Sequence, residues 1–293
     1  MTDASELRSG KGHRDENFPV ASRLITARHR APIMAFYEFV RTADDVADHA
    51  ALSEQQKIDL LDGLERDLLG APNPDPNPQA VTLRNALAKR GLSPQHAQDL
   101  LKAFRLDATK RRYADWDDLI AYCAWSAMPV GRYMLDVHGE SRVTWKASDA
   151  ICAALQINNH LQDCADDYRN LDRVYVPQDA LRAHGLTVES LAQPKASPEL
   201  RQCLSGLARR TKALLQEGAA LPVMVKDTRL GLEISVIYDM AIRIADLLIA
   251  RDPLSENVKL SKGQMLGTTM SATLGGLWRR MSQRSPITPA AAA

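Results

Sequence analysis

Between Leu155 and Asp179 the chain reads LQINNHLQDCADDYRNLDRVYVPQD. At helical spacing, Gln156, Asn159, Asp163 and Asp167 step by three, four and four residues, which places them in one stripe on one helix face. Asp166 flanks the stripe, and neither Asp163 nor Asp167 has a Lys or Arg four residues on. Like charges at that spacing cost a lone helix ~0.2–0.5 kcal/mol per pair. A solvated acidic face is the commoner explanation of a charge run. The apolar residues beside the stripe, Ile151, Leu155 and Leu161, instead predict a helix with little exposed surface. Carboxylates and an amide oxygen on such a face suit a hard divalent cation, Mg²⁺ above all, which prefers oxygen ligands and commonly brings substrate phosphates with it.

A second stripe lies in APIMAFYEFVRTADDVADHA (31–50). Tyr37, Arg41, Asp44 or Asp45, and Asp48 recur at helical intervals, with Ile33, Phe36, Val40 and Ala47 supplying an apolar face. Arg41 can pair with Asp45 on the same helix, which favours the bland reading of this stripe. Asp44 and Asp48 nevertheless repeat the Asp-x-x-x-Asp spacing of Asp163 and Asp167. Two such helices in one chain, each apolar beside its acids, favour a shared metal site.

The elements that must position these residues are all helical in pattern. Pro32 should break or restart the helix that carries the stripe at 31–50. An amphipathic helix follows over 53–69, then APNPDPNPQA (71–80), whose four prolines forbid a helix or central strand and predict an exposed loop. Helices are expected at about 79–90, 94–108 and 116–137, the last interrupted by Pro129 and Gly131. Such a break is either a mere kink or an opening beside a ligand, and sequence favours the kink. Beyond the stripe at 155–179, 183–198 reads as a loop with a short helix, and 198–219 and 223–250 as helices, the later one with a wide apolar face. A weaker helix over 262–281 ends in Trp278-Arg279-Arg280-Met281. Strand signals and internal repeats are missing. The expected architecture is all-α, a single-domain helical bundle over 16–281 with a central active-site cavity and the two Asp helices facing each other, preceded by a flexible leader (1–15) and followed by a disordered tail (282–293).

Composition excludes several classes. With 293 residues, 45% hydrophobic and 25% charged, the chain reads as an ordinary globule with a sizeable core. A net charge of +1 gives no case for nucleic acid or strong electrostatic membrane binding. The four cysteines form no CxxC, and His160 with Cys164 is a zinc-like pair lacking a second pair. No signal-peptide core or spanning apolar run appears, so a cytoplasmic location with at most peripheral membrane contact is expected. GxGxxG, a Walker loop, Glu-x-x-His and GxSxG are all absent. What remains is metal-assisted departure of a diphosphate, with Mg²⁺ as Lewis acid and an apolar, aromatic wall sheltering the cation left behind. Tyr37, Phe36, Tyr122 and Trp125 are candidates for that wall.

Three segments together resemble the squalene and phytoene synthase family: FYEFVRTADDVAD (36–48), YADWDDLIAYCAWSAMPVG (113–131) and LQINNHLQDCADDYRNLDRVYVP (155–177). The resemblance spans roughly residues 16–260. It implies an all-α prenyl synthase in which Asp44, Asp48, Asn159, Asp163 and Asp167 bind Mg²⁺. Tyr37, Arg41 and Gln156 would contact the diphosphate or line the substrate site. Tyr122 would face the reacting carbons, with Asp44 and Asp163 serving the ionisation. The family's C-terminal tyrosine is not matched securely by Tyr238. Two departures, Ser126 to Gly131 after Tyr-Cys and Gln162-Asp163 where most members have Arg-Asp, resemble the hydroxysqualene synthase branch of bacterial hopanoid pathways. That branch ionises presqualene diphosphate, rearranges the cation and quenches it with water, the substrate being handed over by a presqualene diphosphate synthase. The alternatives are condensation of two farnesyl diphosphates and a non-catalytic interaction protein.

Overall fold

The computed structural model describes residues 26–284, with side chains through Arg280. The leader at 1–15, the segment at 16–22 and residues 285–293 lie outside the described residues.

The first helix, α1, runs Ala27–Asp48 without interruption. Pro32 was expected to break it, and does not. Proline cannot donate to the carbonyl four residues back, that of Arg28. Arg90 Nη2 donates to that oxygen instead, at 2.8 Å, so the lost bond is replaced from outside the helix. Two amphipathic helices follow, α2 (Glu54–Leu69) and α3 (Pro78–Arg90), joined by the proline-rich loop. Residues 72–75 of the loop are exposed. Asp67 anchors it by accepting from Asn73 Nδ2 and the Asn77 backbone N–H, and Asn77 then caps α3. With α4 (Gln95–Thr109) these helices enclose one core of Phe36, Phe39, Leu61, Leu83 and Leu101.

The expected helix over 116–137 is two helices, α5 (Trp116–Ser126) and α6 (Met128–His138), broken at Ala127. Pro129 cannot donate to the Trp125 carbonyl and instead occupies the second position of a new helix, where a missing N–H costs nothing. Gly131 permits close packing of α6 on α7 (Trp145–Gln162): a Cβ there would stand 2.4 Å from Ser148 Oγ and 2.5 Å from Cys152 Sγ.

Helix α7 packs against α5, α6 and the later α10 (Pro198–Glu217) and α12 (Thr228–Ala250), and its residues belong to two of the three cores. It ends at Gln162. Asp163 is a joint with φ −101° and ψ 9°, and α8 (Cys164–Leu171) continues beyond it. The acidic stripe is therefore not on one straight helix, although the bonds from Asp163 N–H to Asn159 O and from Asp167 N–H to Asp163 O carry the ladder through the bend. Asp172 adopts the left-handed conformation (φ 50°) that ends α8, one that aspartate tolerates better than most residues. The chain then extends, pairing Val174 with Arg112 in an isolated parallel bridge. No strand forms among the described residues. Two short helices, α9 (Gln178–Ala183) and α11 (Leu221–Met224), and the last helix, α13 (Lys262–Arg284), complete the body.

Candidate active site

A cavity of about 460 Å³ opens between α1, α4, α5, α6, α7 and α8. From α1, Tyr37, Val40, Arg41, Asp44 and Asp48 face it, spaced by threes and fours along one stripe. The opposite wall is Gln156, Asn159 and His160 of α7 with Asp167 and Leu171 of α8. Ala103, Phe104 and Asp107 of α4, Tyr122 and Ser126 of α5, and Val130 of α6 line the rest. Ser126 and Val130 flank the break at Ala127, so that break shapes the cavity wall and is more than a kink. Eight of the nine residues expected at the site thus meet here: Tyr37, Arg41, Asp44, Asp48, Tyr122, Gln156, Asn159 and Asp167. Asp163 is not among the lining residues. Burial and the neighbouring Asp167 push its carboxyl above the usual range, against Lys259.

The α1 wall is a chain of ion pairs. Arg41 donates from Nη1 to Asp44 Oδ2 and from Nη2 to Asp45 Oδ1, each at 2.8 Å. The pairing of Arg41 with Asp45 foreseen as the bland reading is therefore real, and it includes Asp44 as well. Burial, then Asp48, pushes the Asp44 carboxyl up to about 7, against the pull of Arg41. Its side chain is 36% accessible and faces the cavity, and desolvation is still the largest cause of the rise. Asp48 accepts from Arg173 Nη1 at 2.6 Å.

Arg173 and Tyr175 come from the extended segment after α8. In extended chain alternate side chains share a side. Arg173 and Tyr175 line the cavity, while the intervening Val174 and Val176 are fully buried in the core beside it. Arg173 is buried and also donates to Asp107 O and Ala47 O. Burial alone would lower its pKa, but Asp107, Tyr175 and Asp48 overcome that and raise it.

Asp107 anchors the aromatic end. Tyr122 Oη donates to both its carboxylate oxygens at 2.9 Å and Tyr175 Oη donates to Oδ1 at 3.0 Å. Burial pushes the Asp107 carboxyl up, against Arg173 and the two hydroxyls, and holds both tyrosines well above their ordinary value, with Asp107 adding to it. Tyr175 stacks on His160 with centroids 3.5 Å apart. Gln156 Nε2 lies 3.1 Å from His160 Nε2, and the other ring nitrogen, Nδ1, lies 3.9 Å from Asp167 Oδ2.

Several expected roles shift. Phe36 stacks on Tyr133 inside the first core, and Trp125 is exposed beneath Lys102, so neither joins the cavity wall. Phe104 and Tyr175 stand there instead. Beside the stripe, Asn158 Nδ2 donates to Ala241 O and Gln162 Nε2 to Val258 O, so these two amides serve the scaffold. Cys164 is buried with its thiol pushed up to about 12 by desolvation, unsuited to a zinc thiolate. Asp107 and Arg173 were not singled out from sequence. The alternation Arg173-Val174-Tyr175-Val176 could have flagged the second as one side of an extended segment; nothing local marks Asp107.

The donor set fits Mg²⁺: Asp44, Asp48, Asp167 and Asn159 offer hard oxygens only, and the raised Asp44 is an anion in want of a cation. Among the described residues, no three of these carboxylates bring oxygens within 4.8 Å of one another. They stand on two walls, which suits metal ions completed by substrate phosphates better than an all-protein cage. The group that does converge that closely, His29, His138 and Asp227, lies outside the cavity lining, and Arg28 and Arg90 occupy both nitrogens of His29.

The sequence model of the squalene/phytoene synthase family matches residues 12–264. The chain belongs to that family. Among its relatives, a hydroxysqualene synthase of Rhodopseudomonas palustris is 58% identical over 98% of both chains, and one of Sinorhizobium fredii is 54% identical over 91% of this chain and 90% of that one. The crystal structure of a squalene synthase, HpnC, from Alicyclobacillus acidocaldarius superposes with a TM-score of 0.70 at 30% identity, covering 83% of this chain and 90% of that one. The squalene/phytoene synthase fold thus accounts for the bundle. No helix among the described residues is long and apolar enough to cross a membrane.

Proposed function

We propose that this chain is a hydroxysqualene synthase, converting presqualene diphosphate and water to hydroxysqualene and diphosphate. The observation that carries this reading is the 58% identity, over 98% of both chains, to a protein of that name. On this reading Asp44 and Asp48 on one wall and Asn159 and Asp167 on the other hold Mg²⁺, with Asp163 supporting the second wall from the joint. When bound, Mg²⁺ supplies Lewis acidity that neutralises charge on the departing diphosphate.

The chain's own residues do the remainder. Arg41 and Arg173 add fixed positive charge beside the acidic walls, and Tyr37 and Gln156 orient the substrate head. Val40, Ala103, Phe104, Tyr122 and Leu171 exclude bulk water from the hydrocarbon. Tyr122 and Tyr175 line the cavity with their hydroxyls bound to the buried Asp107, and that polarisation strengthens the attraction of the Tyr122 ring for a carbocation, while Tyr175 stays stacked on His160. Gln162 lies away from the cavity, so the water that ends the reaction is ordered by groups that line it. Ser126 Oγ, buried and without a hydrogen-bond partner, is the first of these, with Asn159 and His160 opposite.

The substrate arrives from a presqualene diphosphate synthase, and the protein works in the cytoplasm with peripheral membrane contact. Purified protein given presqualene diphosphate and Mg²⁺ without reductant should form a C30 alcohol, and given farnesyl diphosphate alone should form little. Efficient conversion of farnesyl diphosphate would favour the condensing enzyme instead.

A further inference from the structure

Helix α13 carries its apolar residues on the wrong side for a globular protein. Thr268, Ala272, Gly276 and Arg280, spaced by four, are buried and form the face turned to the body. Gly276 lets the helix approach closely, since a Cβ there would meet Ser235 Oγ at 2.9 Å and Leu232 Cδ2 at 3.1 Å. Arg280 Nη2 locks the end of this face by donating to Pro222 O at 2.6 Å and Val225 O at 2.8 Å. The opposite, outward face reads Leu266, Met270, Leu274, Leu277 and Trp278, exposed by 64, 59, 66, 39 and 71%. Spacings of four, four, three and one put all five in one stripe, about 18 Å long at 1.5 Å per residue. A contiguous apolar stripe on solvent is a mark of an interaction site, whereas apolar residues exposed singly are not.

Charge identifies the occupant. From Asn257 to the C-terminus there are five basic residues, Lys259, Lys262, Arg279, Arg280 and Arg284, and no acidic one. The preceding 256 residues hold 32 basic and 36 acidic residues, so the chain is an acidic body with a basic end. A second copy docking through the same face would bring two basic segments together at a twofold axis, which like-charge repulsion opposes. An anionic lipid surface offers the opposite sign to Lys259 and Lys262, both exposed, and a site for Trp278 at the headgroup level. A helix with one polar, protein-packed face and one apolar outer face lies in the interface plane without spanning it.

We infer that α13 is a membrane-docking helix which seats this protein on anionic bilayers through Leu266, Met270, Leu274, Leu277 and Trp278. The docking is independent of the proposed reaction, but on that reading it brings the protein to the phase in which a C30 hydrocarbon substrate and product dissolve.

The test is flotation of the full chain with phosphatidylcholine vesicles and with vesicles that also contain phosphatidylglycerol. Wild type should float with the anionic vesicles, with Trp fluorescence shifting to the blue, and less with the neutral ones or at high salt. Leu274→Glu should bind about tenfold more weakly or worse, since it puts a charge where an apolar side chain would enter the acyl boundary. Circular dichroism and thermal midpoint should stay those of wild type because Leu274 touches solvent. Trp278→Phe should float but lose the spectral shift. Equal flotation of wild type and Leu274→Glu, or no flotation of wild type, overturns the inference. So does a wild-type dimer in sedimentation that Leu274→Glu dissociates without any lipid binding. Flotation uses no substrate, so its failure is separable from failure of the proposed reaction.

Discussion

Arg173 Nη1 donates to Asp48 Oδ1 at 2.6 Å, across 125 residues of sequence, and so ties the segment after α8 to the last residue of α1. The same guanidinium reaches Asp107 O and Ala47 O. It therefore fixes one acidic wall relative to the other and to the aromatic end of the cavity.

Replacing Arg173 with Ala should destabilise the protein by on the order of 3 kcal/mol, because it leaves a buried carbonyl of Asp107 and the Asp48 carboxylate without their donor. Activity should fall more than stability alone explains, measured at a temperature where both proteins are folded. A free energy of urea unfolding within about 0.5 kcal/mol of wild type would contradict the role assigned to this residue.

Asp44 gives a pH signature to the metal-free protein. Its carboxyl rises from 3.8 to about 7 on folding, so the folded state holds the proton more tightly than the unfolded chain does. The resulting stability is fully present below pH 3.8 and is lost as pH rises through 7. In EDTA, Asp44→Asn should therefore gain in thermal midpoint relative to wild type between about pH 4 and 7, with no further gain above. Mg²⁺ should then raise the wild-type midpoint and leave the Asn variant nearly unmoved. Parallel pH curves for the two proteins would remove the desolvation argument.

Gly131→Ala should cost about 1–3 kcal/mol, because the new methyl meets Ser148 and Cys152 and must push α6 off α7. The second change expected is weaker substrate binding, since Val130 beside it lines the cavity. Double replacement with Ser148→Ala should recover part of the stability; no recovery would place the strain elsewhere.

The sequence carried the helices and both acidic stripes because amphipathic periodicity and i, i+4 spacing are local properties. Most misreadings arose where a distant partner intervenes. Pro32 stays in α1 because Arg90, 62 residues away from the freed Arg28 carbonyl, supplies the missing bond. Asp163 sits at a bend that no proline or glycine announces. Trp125 and Phe36 had the chemistry for a cation-sheltering wall, but which side of a helix meets the cavity depends on neighbours far away in sequence. Asp107 lies on an ordinary amphipathic helix and becomes part of the site only because Tyr122, Arg173 and Tyr175 converge on it.

In the proposed reaction, water captures the final cation. Incubation of purified protein with presqualene diphosphate and Mg²⁺ in ¹⁸O-water, without any nicotinamide cofactor, tests it most directly. The expected product is a C30 alcohol whose hydroxyl carries the label, with the yield falling in Ser126→Ala relative to unoxygenated C30 by-products. An unlabelled alcohol, or squalene formed only when NADPH is supplied, would contradict it.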